Sequence, residues 1–97
     1  MFFVYILRSA RSGIFYVGHT EDLIQRLREH ETGRSHFTSS RGPWELVYVE
    51  VFSTRAEAMK REREIKGRKS KRYINKLLET DNESWKNLVD KKVLDVG

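Results

Sequence analysis

The chain has 97 residues, 38% hydrophobic and 34% charged, which is typical of a globular protein with one modest core and excludes a second one of similar size. It contains no cysteine, which excludes disulfides and thiolate metal sites, and no apolar run approaches the roughly 18 residues that span a membrane. The net charge of +5 is concentrated in residues 60–76, where nine basic residues face two acidic ones, so this segment is either a solvated helix face or a surface for a polyanion such as nucleic acid.

The first two predicted elements are the strands of a hairpin. Phe2–Leu7 is apolar without alternation, which is typical of a strand covered on both faces and not of a signal peptide. Arg11–Gly13 is a turn pattern, and Ile14–Gly18 supplies the returning strand.

A first helix is predicted after the hairpin. Thr20 is a candidate N-cap, an apolar stripe follows over Leu23–Leu27, and Gly33 suits the C-terminal end. Helical spacing would place Arg26 and His30 one turn apart on the same side.

The second half of the chain predicts an exposed loop over residues 34–43, a third strand over Trp44–Phe52 and a helix after the Thr54–Glu57 capping box. That helix should run to about Lys66 and end at Gly67.

Two further helices are predicted after it. Ser70 is a candidate cap for the next helix. Asp81–Asn82 ends the helical pattern before a short last helix predicted around Trp85. The order ββαβαα predicts an α+β fold, with a small three-stranded antiparallel sheet flanked by helices.

One carboxylate on the second predicted helix is out of place. At 100° per residue, Glu62 lies about 40° from Ala58, inside the apolar sector, whereas Glu57 and Glu64 lie about 100° and 120° away on the other side. A carboxylate facing a core is costly unless it is paired or binds a cation. Glu62 is therefore either part of an ion pair, with Arg26 or a nearby lysine, or a metal ligand.

Together these residues form a pattern that resembles the GIY-YIG nuclease family. Phe3-Val4-Tyr5 and Tyr16-Val17-Gly18 stand for its two tripeptides, although the first keeps only its tyrosine. Arg26 and His30 follow at the spacing of the family's helix, and Glu62 sits at the position of its metal-binding glutamate. The resemblance spans about three-quarters of the chain, and it implies the same three-stranded core.

The resemblance also implies five catalytic residues. Glu62 would hold one Mg²⁺ or Mn²⁺ ion, and Arg26 would bind phosphate oxygens. Tyr5 would take the proton of the attacking water, Tyr16 would orient phosphate or water, and His30 would assist. Each has a structural alternative: a surface ion pair for the arginine, packing for the tyrosines and a helix-end position for the histidine.

Nucleic-acid contacts are predicted for residues around the tripeptide, in the loop and in the basic segment. In chain order they are Gly18, His19, Arg34, Arg41, Lys66, Arg68, Lys69, Lys71, Arg72 and Asn75. Gly18 has a second interpretation as a bulge-forming glycine. Phosphate contacts of this kind carry no sequence code, so we expect weak sequence preference and selection for DNA shape.

The sequence thus predicts a metal-dependent DNA endonuclease that works in repair or recombination. One alternative is a nucleic-acid-binding module of the same fold with little or no activity. A second is an interaction protein whose basic helix contacts an acidic partner. We expect one domain over residues 1–97, with a core over about 1–80 and a helical extension over about 81–97. We also expect a cytoplasmic monomer or weak homodimer that needs no small-molecule cofactor and no membrane.

Overall fold

The computed structural model describes residues 1–31, 42–68 and 70–80, and the predicted last helix lies outside these ranges. Three strands form one antiparallel sheet in the order β2-β1-β3. The predicted α+β class and the element order ββαβαα are confirmed over the described residues. The elements are β1 (Phe2–Ser9), β2 (Phe15–Thr20), α1 (Leu23–Glu31), β3 (Trp44–Phe52), α2 (Arg55–Arg68) and α3 (Lys71–Thr80).

Strand β1 lies in the centre of the sheet and is buried on both faces, as its uninterrupted apolar run predicts. Its side chains alternate between two apolar clusters. Val4 and Ile6 pack with residues of α2 and α3, whereas Tyr5 and Leu7 pack with residues of α1. Helix α1 therefore covers one face of the sheet, and α2 and α3 cover the other.

The start of α1 differs from the prediction. Asp22 is the N-cap, because its Oδ1 accepts a hydrogen bond from the backbone N–H of Gln25 at 3.1 Å. Thr20 instead ends β2, and its hydroxyl accepts from the N–H of Asp22 at 3.1 Å. The cap thus comes two residues later than predicted, because β2 continues through Thr20.

The caps of the other two helices are as predicted, but one helix end is not. Thr54 and Ser70 accept hydrogen bonds from the backbone N–H three residues on, at 3.2 and 3.3 Å. Gly67 does not end α2, which continues to Arg68. A positive φ of 75° occurs instead at Gly13, in the predicted hairpin turn.

Besides the apolar side chains of α2, one arginine ties this helix to the sheet. The Arg61 guanidinium donates from Nε to Glu50 on β3 at 2.9 Å and from a terminal nitrogen to the Tyr73 hydroxyl on α3 at 3.3 Å. This side chain joins three elements and sets the rotation of α2, which determines where the next residue, Glu62, points.

None of the helices in the part of the chain that the structure describes has both the length and the apolar character needed to cross a membrane.

Candidate active site

The side chain of Tyr5, the first predicted catalytic tyrosine, extends over strand β2 because the residue opposite it is glycine. Tyr5 on β1 pairs with Gly18 on β2, and a Cβ added at Gly18 would lie 2.7 Å from the Tyr5 hydroxyl oxygen and 3.1 Å from a ring carbon of Tyr16. Any other residue would have to displace the phenol. The β1–β2 register runs without a break from Phe3 to Arg8, so the interpretation of Gly18 as a bulge glycine is wrong.

Four predicted catalytic residues meet on the α1 face of the sheet, and we call Tyr5, Tyr16, Arg26 and His30 the tyrosine cluster. The Tyr5 oxygen lies 2.9 Å from Nε2 of His30 and accepts a hydrogen bond from Nε of Arg26 at 3.3 Å. The Tyr16 ring lies 6.2 Å from the Tyr5 ring and 4.9 Å from the His30 ring, centroid to centroid. The predicted placement of Arg26 and His30 one turn apart brings both to the same phenol.

The cluster is largely closed to solvent. Tyr5 has no exposed surface and His30 is 3% exposed, whereas about a third of the Arg26 side chain is exposed and Tyr16 is half-buried. Arg26 also donates to Glu29 at 3.3 Å. The ion pair that was the structural alternative for Arg26 is therefore present, beside its bond to Tyr5.

Burial sets the ionisation of the cluster. It raises the pKa of Tyr5 far above its ordinary value, although the hydrogen bond from Arg26 acts in the opposite direction. Burial and the nearby charge of Arg26 lower the pKa of His30 to about 4. At neutral pH the phenol is therefore protonated and the imidazole is neutral. The tautomer of the imidazole sets which of the two groups donates in the bond between the Tyr5 oxygen and Nε2 of His30.

The predicted metal ligand lies in a second group, which we call the Glu62 cluster: His19, Glu62 and Lys66. Nδ1 of His19 donates to one carboxylate oxygen at 2.6 Å, and Nζ of Lys66 donates to the other at 2.7 Å. The Glu62 side chain is 17% exposed, compared with 51% for Glu64. The prediction that Glu62 faces inward is confirmed.

Two opposing effects act on the Glu62 carboxylate. Burial would raise its pKa, but the hydrogen bonds from Lys66 and His19 outweigh burial and hold the pKa below its ordinary value. Glu62 is thus ionised at neutral pH. The cation beside it is Lys66, so of the two ion pairs that the sequence left open, the described contacts favour the lysine over Arg26.

The two clusters approach strand β2 from opposite faces. Gly18 pairs with Tyr5, which faces α1, whereas the next residue, His19, pairs with Val4, which faces α2. One cavity of about 450 Å³ adjoins both clusters, because Tyr16 and Lys66 line it. The arrangement therefore places a neutral phenol–imidazole pair and an ionised carboxylate on the two sides of one edge strand.

The predicted nucleic-acid contacts on α2 and α3 are exposed. Lys66 and Lys71 lie at the 450 Å³ cavity, and Arg72 and Asn75 line a polar cavity of about 510 Å³. The exposed Arg68 guanidinium lies 5.2 Å from the ring centre of Tyr73. Arg34, Arg41 and Lys69 lie outside the described residues.

Two contacts near the candidate site were not predicted from the sequence. One is the bond between the imidazole of His19 and Glu62; the predicted contact of His19 with phosphate stays a prediction. The bond between Arg61 and Glu50, which orients α2, joins residues on different elements, and no spacing rule in the sequence pairs them. A histidine directly after the glycine of the second tripeptide, on the strand that α2 packs against, was the available signal for the first contact.

Comparisons with known proteins agree with this arrangement. A family model described as the GIY-YIG catalytic domain matches residues 1–77. The chain belongs to the GIY-YIG family. Domains of this family are nucleases and typically use a divalent metal. Membership in the family therefore implies nuclease activity in general.

The relatives are small proteins of the UPF0213 group. A UPF0213 protein of Oceanobacillus iheyensis is 46% identical over 65 residues, covering 66% of this chain and 74% of the relative. One of Staphylococcus saprophyticus is 40% identical, covering 66% and 78%. The solution NMR structure of a UPF0213 protein of Bacillus halodurans has a TM-score of 0.55 and 32% identity, covering 95% of this chain and 98% of that one. The fold is that of a stand-alone GIY-YIG protein.

Proposed function

We propose that this protein is a divalent-metal-dependent endonuclease that hydrolyses phosphodiester bonds in DNA. The observation that carries the proposal is that neighbouring residues of one edge strand, Gly18 and His19, adjoin the tyrosine cluster on one face and an ionised, partly buried carboxylate on the other. Phosphodiester hydrolysis needs a positioned water, stabilisation of charge on the phosphoryl oxygens and help for the leaving oxygen. The two clusters contain groups suited to each need.

Glu62 is the residue that would hold the metal. Its carboxylate is ionised, offers the hard oxygen ligands that Mg²⁺ and Mn²⁺ prefer, and keeps some exposure. One of its oxygens is bonded to the exposed, flexible Lys66 side chain, which can move away when a dication binds. The donor set therefore fits a single ion that keeps several waters and takes phosphate oxygens. When bound, such an ion supplies charge stabilisation at the scissile phosphate and at the leaving oxygen.

Arg26 would bind the scissile phosphate. Its guanidinium is permanently charged, and its planar fork matches phosphate oxygens. The bond from Nε to Tyr5 and the bond to Glu29 fix its orientation, while about a third of the side chain stays open to solvent. A prepositioned arginine stabilises developing charge without reorganising during the reaction.

The tyrosines divide into an outer and an inner role. Tyr16 is half-buried, and its ring packs beside those of Tyr5 and His30, which suits its hydroxyl to orient phosphate or water. Tyr5 is fully buried, and its raised pKa makes the isolated phenolate a costly state. We therefore assign Tyr5 to proton transfer in which its oxygen accepts a proton while its own moves to Nε2 of His30.

Substrate binding would favour this transfer. Two causes lower the pKa of His30, its burial and the positive charge of Arg26. A phosphate bound to Arg26 neutralises the second cause, so the pKa of His30 rises and the imidazole becomes a better proton acceptor. The site is thus poorly basic when empty and more basic when it holds DNA.

The exposed basic side chains of α2 and α3 would position the DNA through its phosphates. They supply affinity without a sequence code, so we propose weak sequence preference and selection for nicks, flaps or branches, as in repair or recombination. We further propose a cytoplasmic protein, one domain over residues 1–97, acting as a monomer or weak homodimer without a small-molecule cofactor.

A second candidate function is a nucleic-acid-binding module with feeble activity. It is favoured by the bonding of both Glu62 oxygens to His19 and Lys66 and by the complete burial of Tyr5. In that case the same basic surface binds DNA, and the carboxylate serves only to join α2 to β2.

Cleavage of nicked, flapped and branched DNA in the presence of Mn²⁺ separates these two functions. Glu62→Gln should lower the rate on the order of 100-fold or more, since a bound dication contributes several kcal/mol to transition-state stabilisation. Glu64→Gln, two residues along the same helix and mostly exposed, is the matched control and should cleave like the wild type.

Equal cleavage by wild type and Glu62→Gln would contradict the enzyme assignment. Salt-sensitive DNA binding without cleavage by any of the three proteins would establish the binding module instead.

A further inference from the structure

We propose that the 450 Å³ cavity beside β2 is a subsite for the base of one unpaired nucleotide in a DNA strand. The cavity lies between β2, the end of α2 and the start of α3. This inference rests on the proposed function, and it names the substrate class: DNA with an unpaired base next to the cut.

The walls of the cavity suit the flat, apolar face of a base. Val17, Ile65 and Ile74 form a buried apolar floor, and the half-buried Phe15 lies at its edge. The volume is within the range of small-ligand sites, about 300–1,000 Å³. Aromatic side chains such as Phe15 stack on bases in single-strand binding proteins.

The rim of the cavity is cationic. Lys66 and Lys71 are exposed at its mouth, and the described lining residues include no acidic side chain. An apolar floor with a positive rim matches a nucleotide, whose base is apolar on its faces and whose flanking phosphates are negative. A purely apolar peptide offers no negative group to this rim, which makes it a poorer match.

The cavity is continuous with the proposed active site. Lys66 at its rim bonds to Glu62 at 2.7 Å, and Tyr16 in its wall lies 4.9 Å from the His30 ring, centroid to centroid. A base held there would therefore lie beside Lys66 and the carboxylate that we propose as the metal ligand.

Only a base that is already unpaired gains fully from such a cavity. Stacking of one base on a protein side chain strengthens binding about tenfold or more. Extruding a paired base from a duplex weakens binding by a factor of similar size. The two effects offset each other for a paired base. For a bulged, flapped or mismatched base the gain remains, and this accounts for selection by DNA structure without sequence readout.

The test is binding of full-length protein to two fluorescent duplexes that differ by one base. Each carries a single-nucleotide bulge, with a normal nucleotide in one and an abasic residue in the other, and fluorescence polarisation is measured in EDTA so that no cleavage occurs. Wild type should bind the base-containing bulge about tenfold more tightly. Because no catalysis is needed, this result is independent of the Glu62→Gln cleavage experiment.

Two phenylalanines provide the matched variants. Phe15→Ala removes the ring at the cavity and should abolish the preference for the base, and Phe15→Leu, which retains apolar packing, should weaken it. Phe52→Ala removes a half-buried ring that packs against the same apolar cluster but does not line the cavity, and it should keep the preference. Circular dichroism establishes that each variant is folded.

Several outcomes would overturn the proposal. They are equal affinity of wild type for the two bulges, and an unchanged preference in folded Phe15→Ala and Phe15→Leu. Competition by free deoxyadenosine monophosphate at the concentration at which bulged DNA competes would make the cavity a mononucleotide site. Loss of a dimer in Phe15→Ala, measured by sedimentation, would make it an interface between two copies of this chain.

Discussion

The two faces of the sheet solve the same problem, holding a polar group near the core, in opposite ways. On the α1 face, Tyr5 and His30 are almost fully buried and neutral, and they satisfy each other by a hydrogen bond. On the α2 face, Glu62 is charged and 17% exposed, with a donor on each oxygen. A neutral pair tolerates complete burial because it loses little solvation, whereas a carboxylate needs partners and some water.

The largest expected effect is on catalysis and compares one tyrosine on each face. Tyr5→Phe removes the hydroxyl between Arg26 and His30 and should lower the cleavage rate by about 10²- to 10⁴-fold, the usual contribution of a positioned acid or base. Tyr48→Phe removes a buried hydroxyl that bonds to Glu50 on the α2 face. It should leave the rate near that of the wild type in single-turnover assays.

A rate loss of similar size in both tyrosine variants would mean that Tyr5 acts through the fold alone. Unfolding curves of the two variants provide the necessary check, because both lose one buried hydrogen bond.

The second effect is on the pH dependence of stability. The pKa of His30 is about 4 in the folded protein and about 6.5 in an unfolded chain. The contribution of His30 to the free energy of unfolding is therefore complete above pH 6.5. As the pH falls towards 4 this contribution is lost, which lowers the free energy of unfolding by roughly 3 kcal/mol. Urea unfolding at a series of pH values measures this slope.

His30→Gln should flatten the slope between pH 6.5 and 5. Glu62→Gln should leave the slope in that window unchanged, because the pKa of Glu62 is lowered in the folded protein and its contribution to stability is lost only at more acidic pH. A slope that survives in His30→Gln would show that the histidine is not the titrating group.

The third effect compares two glycines. Gly18→Ala introduces a methyl group 2.7 Å from the Tyr5 oxygen and should destabilise the protein by about 1–3 kcal/mol, the usual cost of overpacking. Gly67→Ala adds a methyl group in open space within α2 and should stabilise it by about 0.5–1 kcal/mol. Thermal unfolding distinguishes the two signs, and destabilisation by both variants would contradict the steric account of Gly18.

The smallest effect concerns ion pairs. Arg61 is about three-quarters buried and bonds to Glu50 with two nitrogens, so Arg61→Ala should cost about 1–2 kcal/mol of unfolding free energy. Arg8 and Glu45 form a mostly exposed pair on the sheet, and Arg8→Ala should cost less than about 1 kcal/mol. If Arg8→Ala costs as much as Arg61→Ala, the anchoring role of Arg61 in placing Glu62 is wrong.

The sequence predicted the fold and the inward position of Glu62 from local patterns, whereas the candidate catalytic set came from the resemblance to the family. The apolar run of β1, the capping residues Thr54 and Ser70 and the helical position of Glu62 each depend on neighbouring residues. The cap at Asp22 and the end of α2 were predicted wrongly by two residues or fewer, since adjacent polar residues compete to cap and glycine is tolerated inside a helix.

Contacts between distant elements were beyond the reach of the sequence. The bond of His19 to Glu62 spans 43 residues, and it exists because β2 and α2 pack on the same side of the sheet. Spacing gives no access to such pairs. The complete burial of Tyr5 likewise results from packing between distant elements. Because of this burial, we assign Tyr5 to a proton transfer that includes His30 and not to the role of an isolated phenolate base.

The segment from Tyr16 to His19 ties both halves of the molecule to the pairing register of a single short strand. Alternate residues of a strand face opposite ways, so sliding β2 past β1 by one position would send every side chain of that segment to the wrong side. Insertions in the hairpin turn leave this alignment intact. Deletion of one residue inside β2 would instead turn the side chains on one side of the deletion to the opposite face of the sheet, away from their present cluster. The register of these four consecutive residues therefore determines the position of both clusters.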